Sequence, residues 1–159
     1  MNITVLCVGK IKEAYLRDGI GEYAKRLSRY AKLTVTELAD EKTPENASEA
    51  ENLKIINTEG DRILAKIKDS DYVCALAING KMYSSEEFSD YLSKVQITSK
   101  GNLVFVIGGS LGLSEAVLAR ADDKISFSKM TFPHQLMRMI LLEQVYRGYR
   151  IMNHEPYHK

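Results

Sequence analysis

Apolar positions along the chain switch repeatedly between two periods. Residues 3–8, 33–38, 72–78, 104–107 and 125–127 are short apolar or alternating runs that predict strands. Between them, Leu16, Ile20, Tyr23, Leu27 and Tyr30 recur at helical spacing, as do Leu53, Ile56, Ile63, Leu64 and Ile67. A third helix buries Phe88, Leu92 and Val95, opened by Ser84 and Glu87 in a capping-box pattern. A short helix covers Val117 and Leu118, and a long one runs from Pro133 to about Met152. Gly9 and Asn79-Gly80 mark turns, and the polar loop 40–46 contains Pro44. Gly60 falls inside the second helix, where glycine costs up to about 1 kcal/mol relative to alanine. Strands separated by helices require crossover connections. The expected architecture is therefore α/β, a mostly parallel sheet with helices on both faces, in one domain spanning 1–159. Ligands of such sheets bind at the carboxyl ends of the strands, here the loops 76–80, 108–112 and 127–133.

Two segments stand out. In VFVIGGSLG, four residues of a strand buried on both faces run straight into Gly108 and Gly109. Bare backbone there means a close approach or a positive φ, and a plain tight turn or a ligand cradle both fit. The spacing is not the G-x-G-x-x-G of a dinucleotide site, and no Gly-Lys-Ser/Thr follows as in a phosphate loop. The last helix is apolar nearly all round, with Leu136, Met137, Met139, Ile140, Leu141, Leu142, Val145, Tyr146, Tyr149, Ile151 and Met152. Such a helix is buried nearly all round, either by a second copy of the chain or as a central core helix.

Composition narrows the class. Hydrophobic residues at 45% and charged residues at 27% describe an ordinary globular chain, with no stretch long enough to span a bilayer. The start MNITVLCVGKIKEAY has no charged segment ahead of an apolar core, so no signal peptide is expected. Cys7 and Cys74 lie in strand-like runs as buried reduced thiols, which fits the cytoplasm. A formal charge of +1 excludes gripping bare nucleic acid by charge alone. Residues 40–61 carry seven acids against Lys42 and Lys54, whereas 134–159 are net basic and hold all three histidines. An anionic partner should meet the C-terminal end. No serine or cysteine has a recognisable base partner, and Pro156 breaks any helical face shared by His154 and His158, so neither nucleophilic catalysis nor a metal is expected. Glu143 and Arg147, four apart, read as an ion pair. Arg138, Arg150 and the terminal Tyr157-His158-Lys159 remain as groups able to meet phosphates or stack on bases.

The N-terminal strand ending in VGK, the FVIGGSLG turn, the segment SFSKMTFPHQLMRMILLEQVYRGYRI and the terminal EPYHK together resemble the RlmH family of small SPOUT-class methyltransferases along the whole chain. That family methylates N3 of a pseudouridine in large-subunit (23S) ribosomal RNA. The resemblance implies an α/β fold with a C-terminal trefoil knot, a homodimer, and S-adenosyl-L-methionine held by Leu76, Gly108, Gly109 and the loop Phe127, Ser128, Lys129, Met130, Thr131 and Phe132. It also implies action on the assembled ribosome, with the acidic stretch facing away from RNA. A sulfonium methyl is already activated, so the protein has to align the ring nitrogen and help remove its proton. His158 and Tyr157 are the candidates for that work, with Arg150 and Arg138 orienting phosphate or uracil oxygens and His134 and Lys159 contacting substrate. His158 touching only phosphates and His134 being purely structural stay open. The rival readings are a SPOUT methyltransferase with a different RNA target and a non-catalytic ribosome-associated binding protein.

Overall fold

The computed structural model describes residues 1–159. Five strands, β1 (Asn2–Val8), β2 (Lys32–Leu38), β3 (Tyr72–Met82), β4 (Leu103–Ile107) and β5 (Asp123–Ser126), form one sheet in the order β2-β1-β4-β3-β5. Every pairing is parallel, as the alternation of strands and helices requires. The helices are α1 (Ala14–Leu27), α2 (Glu49–Leu64), α3 (Ser85–Thr98), α4 (Glu115–Arg120) and α5 (His134–Met152).

Successive residues of β1 and β4 point to opposite faces and into two separate cores. Ile3, Val5, Cys7, Leu103, Phe105 and Ile107 pack under α1, α3 and α5. Leu6, Val8, Val104 and Val106 pack against Ile63 of α2 and Val117 of α4. Both faces are therefore covered, which explains why VFVI shows no polar position. Cys7 and Cys74 are free and fully buried, and burial pushes their thiols up to about 11 and about 12.

Local signals set several boundaries. Ser84 accepts from the Glu87 N–H while the Glu87 carboxylate accepts from the Ser84 N–H, closing the capping box that starts α3. Ser48 and Ser114 cap α2 and α4 in the same way from one side. Asn79-Gly80 is not a turn. β3 continues through it to Met82, bulging where Leu76 and Lys81 both face Ile125 of β5. Glycine is needed there because a Cβ on Gly80 would lie 2.7 Å from the Ile125 backbone.

α5 runs down the middle of its face between α1 and α3, so none of its residues is fully exposed within the single chain. Leu141, Leu142, Val145 and Tyr149 are core, and Gly148 brings α3 close enough for the Ser89 hydroxyl to donate to its carbonyl at 2.7 Å. The central-helix alternative thus accounts for one stripe of α5. Leu136, Met137, Met139, Ile140 and Tyr146 are left half-buried.

Candidate functional site

The carboxyl ends of β4 and β5 and the bulged half of β3 enclose a cavity of about 810 Å³. Residues 108–112 form one wall. Gly112 N donates to Gly109 O at 3.1 Å, folding the turn back so that a Cβ on Gly108 would sit 2.8 Å from the Gly112 carbonyl. A Cβ on Gly109 would lie 3.1 Å from Glu59 Oε1, on α2 behind the wall. The glycines therefore answer first to the chain itself: what comes close is the returning loop and a carboxylate. Gly112 adopts φ +87° with open space where a Cβ would stand, so the rim of the cavity is bare backbone.

The opposite wall is the loop after β5. The Ser126 hydroxyl donates to Ser128 O at 3.0 Å and the Met130 N–H donates to Ser128 Oγ at 2.9 Å, a hydrogen-bonded turn that sets its shape. Leu76, Gly108, Gly109, Phe127, Ser128, Met130, Thr131 and Phe132 all line the cavity, brought together from three separate segments. Lys129, expected with them, points elsewhere and is exposed. Ala77, Ile78 and Leu113 add apolar surface that the strand-end argument did not single out; the first two belong to loop 76–80, and Leu113 lies just past 108–112.

His134 also lines the cavity, half-buried at the start of α5. Burial, then the nearby Arg138 charge, lowers its imidazolium below the ordinary range, while Asp40 opposes this.

Arg138 is not placed to meet phosphate. It is 1% exposed, ion-paired to Glu37 at 2.8 Å and donating to the Val8 and Gly9 carbonyls at 3.0 and 2.7 Å. Glu37 accepts in turn from the Ile11 N–H at 2.8 Å, so this network ties α5 to the ends of β1 and β2. A one-turn helical spacing gave no hint that a charged side chain would cross the layer.

The C-terminal tail docks on its own helices, away from its own cavity. Arg150 binds Glu155 and donates to Pro156 O at 2.9 Å, and the Tyr30 hydroxyl donates to Glu155 at 3.0 Å. The Tyr157 hydroxyl donates to Glu143 at 3.0 Å, its ring lies under the Arg147 guanidinium at 4.7 Å, and Glu143 pairs with Arg147 as the spacing predicted. His158 is held between Arg147 at 3.2 Å on Nδ1 and Glu86 at 2.7 Å on Nε2. A guanidinium can only donate, so Nδ1 is the acceptor and Nε2–H faces the carboxylate. Neither the tail residues nor Arg138 or Arg150 lines the cavity.

The acidic stretch divides. α2 covers the face away from α5, but Asp40 reaches the strand-end rim, with its Oδ2 3.9 Å and His134 Nε2 3.8 Å from where a Gly9 Cβ would stand. No group of histidine, cysteine or carboxylate side chains could hold a metal ion, and no helix is long and apolar enough to cross a membrane.

Comparison with known proteins agrees with this architecture. A family model described as a predicted SPOUT methyltransferase matches residues 1–158. The ribosomal RNA large subunit methyltransferase H of Clostridium novyi (strain NT) is 61% identical over 159 residues, covering all of both chains. The protein of the same name from Enterococcus faecalis is 58% identical with equal coverage. A solved structure, a probable methylase family protein from Haemophilus influenzae Rd KW20, superposes with TM-score 0.54 over 99% of this chain and 70% of that one, at 11% identity, a likeness of fold. The chain, with its parallel sheet, bare glycine rim and long apolar last helix, belongs to the SPOUT methyltransferase family.

Proposed function

We propose that this protein transfers the methyl group of S-adenosyl-L-methionine to N3 of a pseudouridine in 23S ribosomal RNA, acting in the cytoplasm as a homodimer on the assembled ribosome. The observation that carries this reading is the 58–61% full-length identity to relatives named ribosomal RNA large subunit methyltransferase H.

The cavity suits the cofactor. About 810 Å³ falls within the roughly 300–1,000 Å³ of small-molecule sites, and the lining is apolar apart from hydroxyls, backbone and the His134 imidazole. Leu76, Phe127 and Phe132 would flank the adenine, with the bare 108–112 backbone taking its polar edge and the Ser128 turn fixing the other wall. When bound, the cofactor supplies an electrophilic methyl on a sulfonium, so the chain has no nucleophile to provide. Its residues orient the donor, exclude water and admit one ring nitrogen in line with the methyl.

The half-buried apolar side chains of α5 would pack against a second copy, and that copy would bring Tyr157, His158 and Lys159 toward the rim, where a stacking ring and a cation suit an unstacked base and its phosphate. A surface bearing formal charge +1 overall relies on ribosomal shape to select its site. The test is methyl transfer to ribosomes from cells lacking this protein, beside free 23S transcript and transfer RNA, with calorimetry of S-adenosyl-L-methionine binding. Transfer restricted to ribosomes is expected. Preferential transfer to transfer RNA, or no cofactor binding, would replace this reading with one of its rivals. Removing residues 157–159 should leave cofactor affinity intact and abolish transfer.

A further inference from the structure

Methyl transfer to an imide nitrogen releases a proton, and the cavity holds one side chain able to take it. Resting on the methyl-transfer reading above, we propose that His134 is the proton acceptor for N3 of the substrate ring. Among the cavity's lining residues it alone carries an ionisable side chain. It opens α5 directly after the loop that forms one cavity wall, so its ring is placed by the same segment that shapes the site.

A base needs an available lone pair. His158, the more conspicuous candidate in the sequence, has none: its Nδ1 accepts from Arg147 and its Nε2–H faces Glu86. No hydrogen bond of the chain engages the His134 ring, and the groups acting on it are Arg138 one turn along α5 and Asp40 at the end of β2. Gly9, on the remaining segment beside it, contributes no side chain, and a Cβ there would stand in ordinary contact with Nε2 at 3.8 Å. Burial and Arg138 keep the imidazole neutral at rest, and Asp40 favours the cation once the proton arrives.

The step balances simply. The N3–H proton passes to a His134 ring nitrogen, and the N3 lone pair forms the new N–C bond. The carbon–sulfur bond of the donor breaks with its electron pair retained on sulfur, leaving a neutral thioether, and the imidazolium returns its proton to water.

The test uses His134→Gln in the full-length protein. Calorimetric affinity for S-adenosyl-L-methionine and KM for ribosomes should stay within about threefold of wild type, while kcat falls roughly 10²–10⁴-fold, the usual worth of a positioned base. The wild-type kcat/KM should decline on an acid limb that matches the His134 imidazole titration followed by NMR in the protein alone. The variant should lack that limb and gain rate steadily toward alkaline pH as the imide ionises unaided. Asp40→Asn should move the limb to lower pH, which keeps the proposal open to refutation if His134→Gln does not fold. A raised KM with unchanged kcat, an acid limb surviving in His134→Gln, or no movement in Asp40→Asn would overturn the assignment. Wild-type protein that neither binds the donor nor methylates ribosomes would instead overturn the reading on which it rests.

Discussion

Alanine at position 60 should destabilise this protein, although intrinsic helix propensity says the reverse. Gly60 is interior to α2, where replacement by alanine ordinarily gains about 1 kcal/mol. Here the added Cβ would lie 2.3 Å from Ser114 Oγ and 2.9 Å from Ser114 Cβ. The hydroxyl cannot simply swing aside, because it accepts from the Val117 N–H at 3.2 Å and caps α4. Losing such a cap costs about 0.5–2 kcal/mol, and forcing the Cβ contact apart costs about 1–3 kcal/mol more. Set against the propensity gain, the net loss is about 0.5–4 kcal/mol. For a chain of this size that lowers Tm by roughly 2–4 °C per kcal/mol. Urea unfolding of Gly60→Ala, Ser114→Gly and the double variant isolates the contact. Glycine retains most of the value of an N-cap, so in the Ser114→Gly background Gly60→Ala should be neutral or stabilising, a non-additivity of the size expected for touching residues. Gly60→Ala raising the urea midpoint of the otherwise wild-type chain would refute the steric argument.

Two further outcomes follow from buried charges. Burial raises the Glu59 carboxyl above its ordinary 4.5, only partly offset by the Glu41 N–H and Arg62, so the folded state binds its proton more tightly than the unfolded chain does. The ionised form is thus a penalty at neutral pH that is relieved as pH falls through the raised value. Glu59→Gln, which keeps an acceptor for Glu41 N, should unfold at higher urea at pH 7 and lose that advantage below the unfolded value of 4.5; lower stability at pH 7 would contradict this. Arg138→Lys replaces a fork that serves Glu37 and two carbonyls by a single ammonium in a buried site, and should cost about 1.5–3 kcal/mol in urea unfolding, the worth of a lost hydrogen bond from a charged group. A loss under about 1 kcal/mol would show that the network is dispensable.

Much of the site was legible because its parts are loops at strand ends, and strand ends share an edge in any parallel sheet. Leu76, Gly108 and the 127–132 loop converge for that reason, with Lys129 the exception because one residue of the turn faces out. Lettering alone left a tight turn and a ligand cradle both open at Gly108 and Gly109, and the family resemblance implied the cradle. Their contacts are with Gly112 and Glu59, residues a few and many positions away, and no local pattern encodes which neighbour arrives. His158 reads as a candidate for handling the proton and His134 as either a substrate contact or a structural residue; the fold places His134 on the cavity and holds His158 between Arg147 and Glu86.

Periodicity and capping chemistry are local, and they decided the elements: buried runs became strands, Ser84 with Glu87 started α3, and Pro133 preceded α5. Everything that depends on a partner distant in the chain waited for the folded molecule. Asn79-Gly80 reads as a turn until β5 pairs alongside and holds it extended. Arg138 reads as a cation available to phosphate or uracil oxygens until β1 and Glu37 enclose it. Gly60 reads as a weak point until Ser114 occupies the space its side chain would need. Backbone preference acts over a few residues, but burial, ion pairing and steric exclusion are set by which surfaces meet, and that is a property of the packed layers.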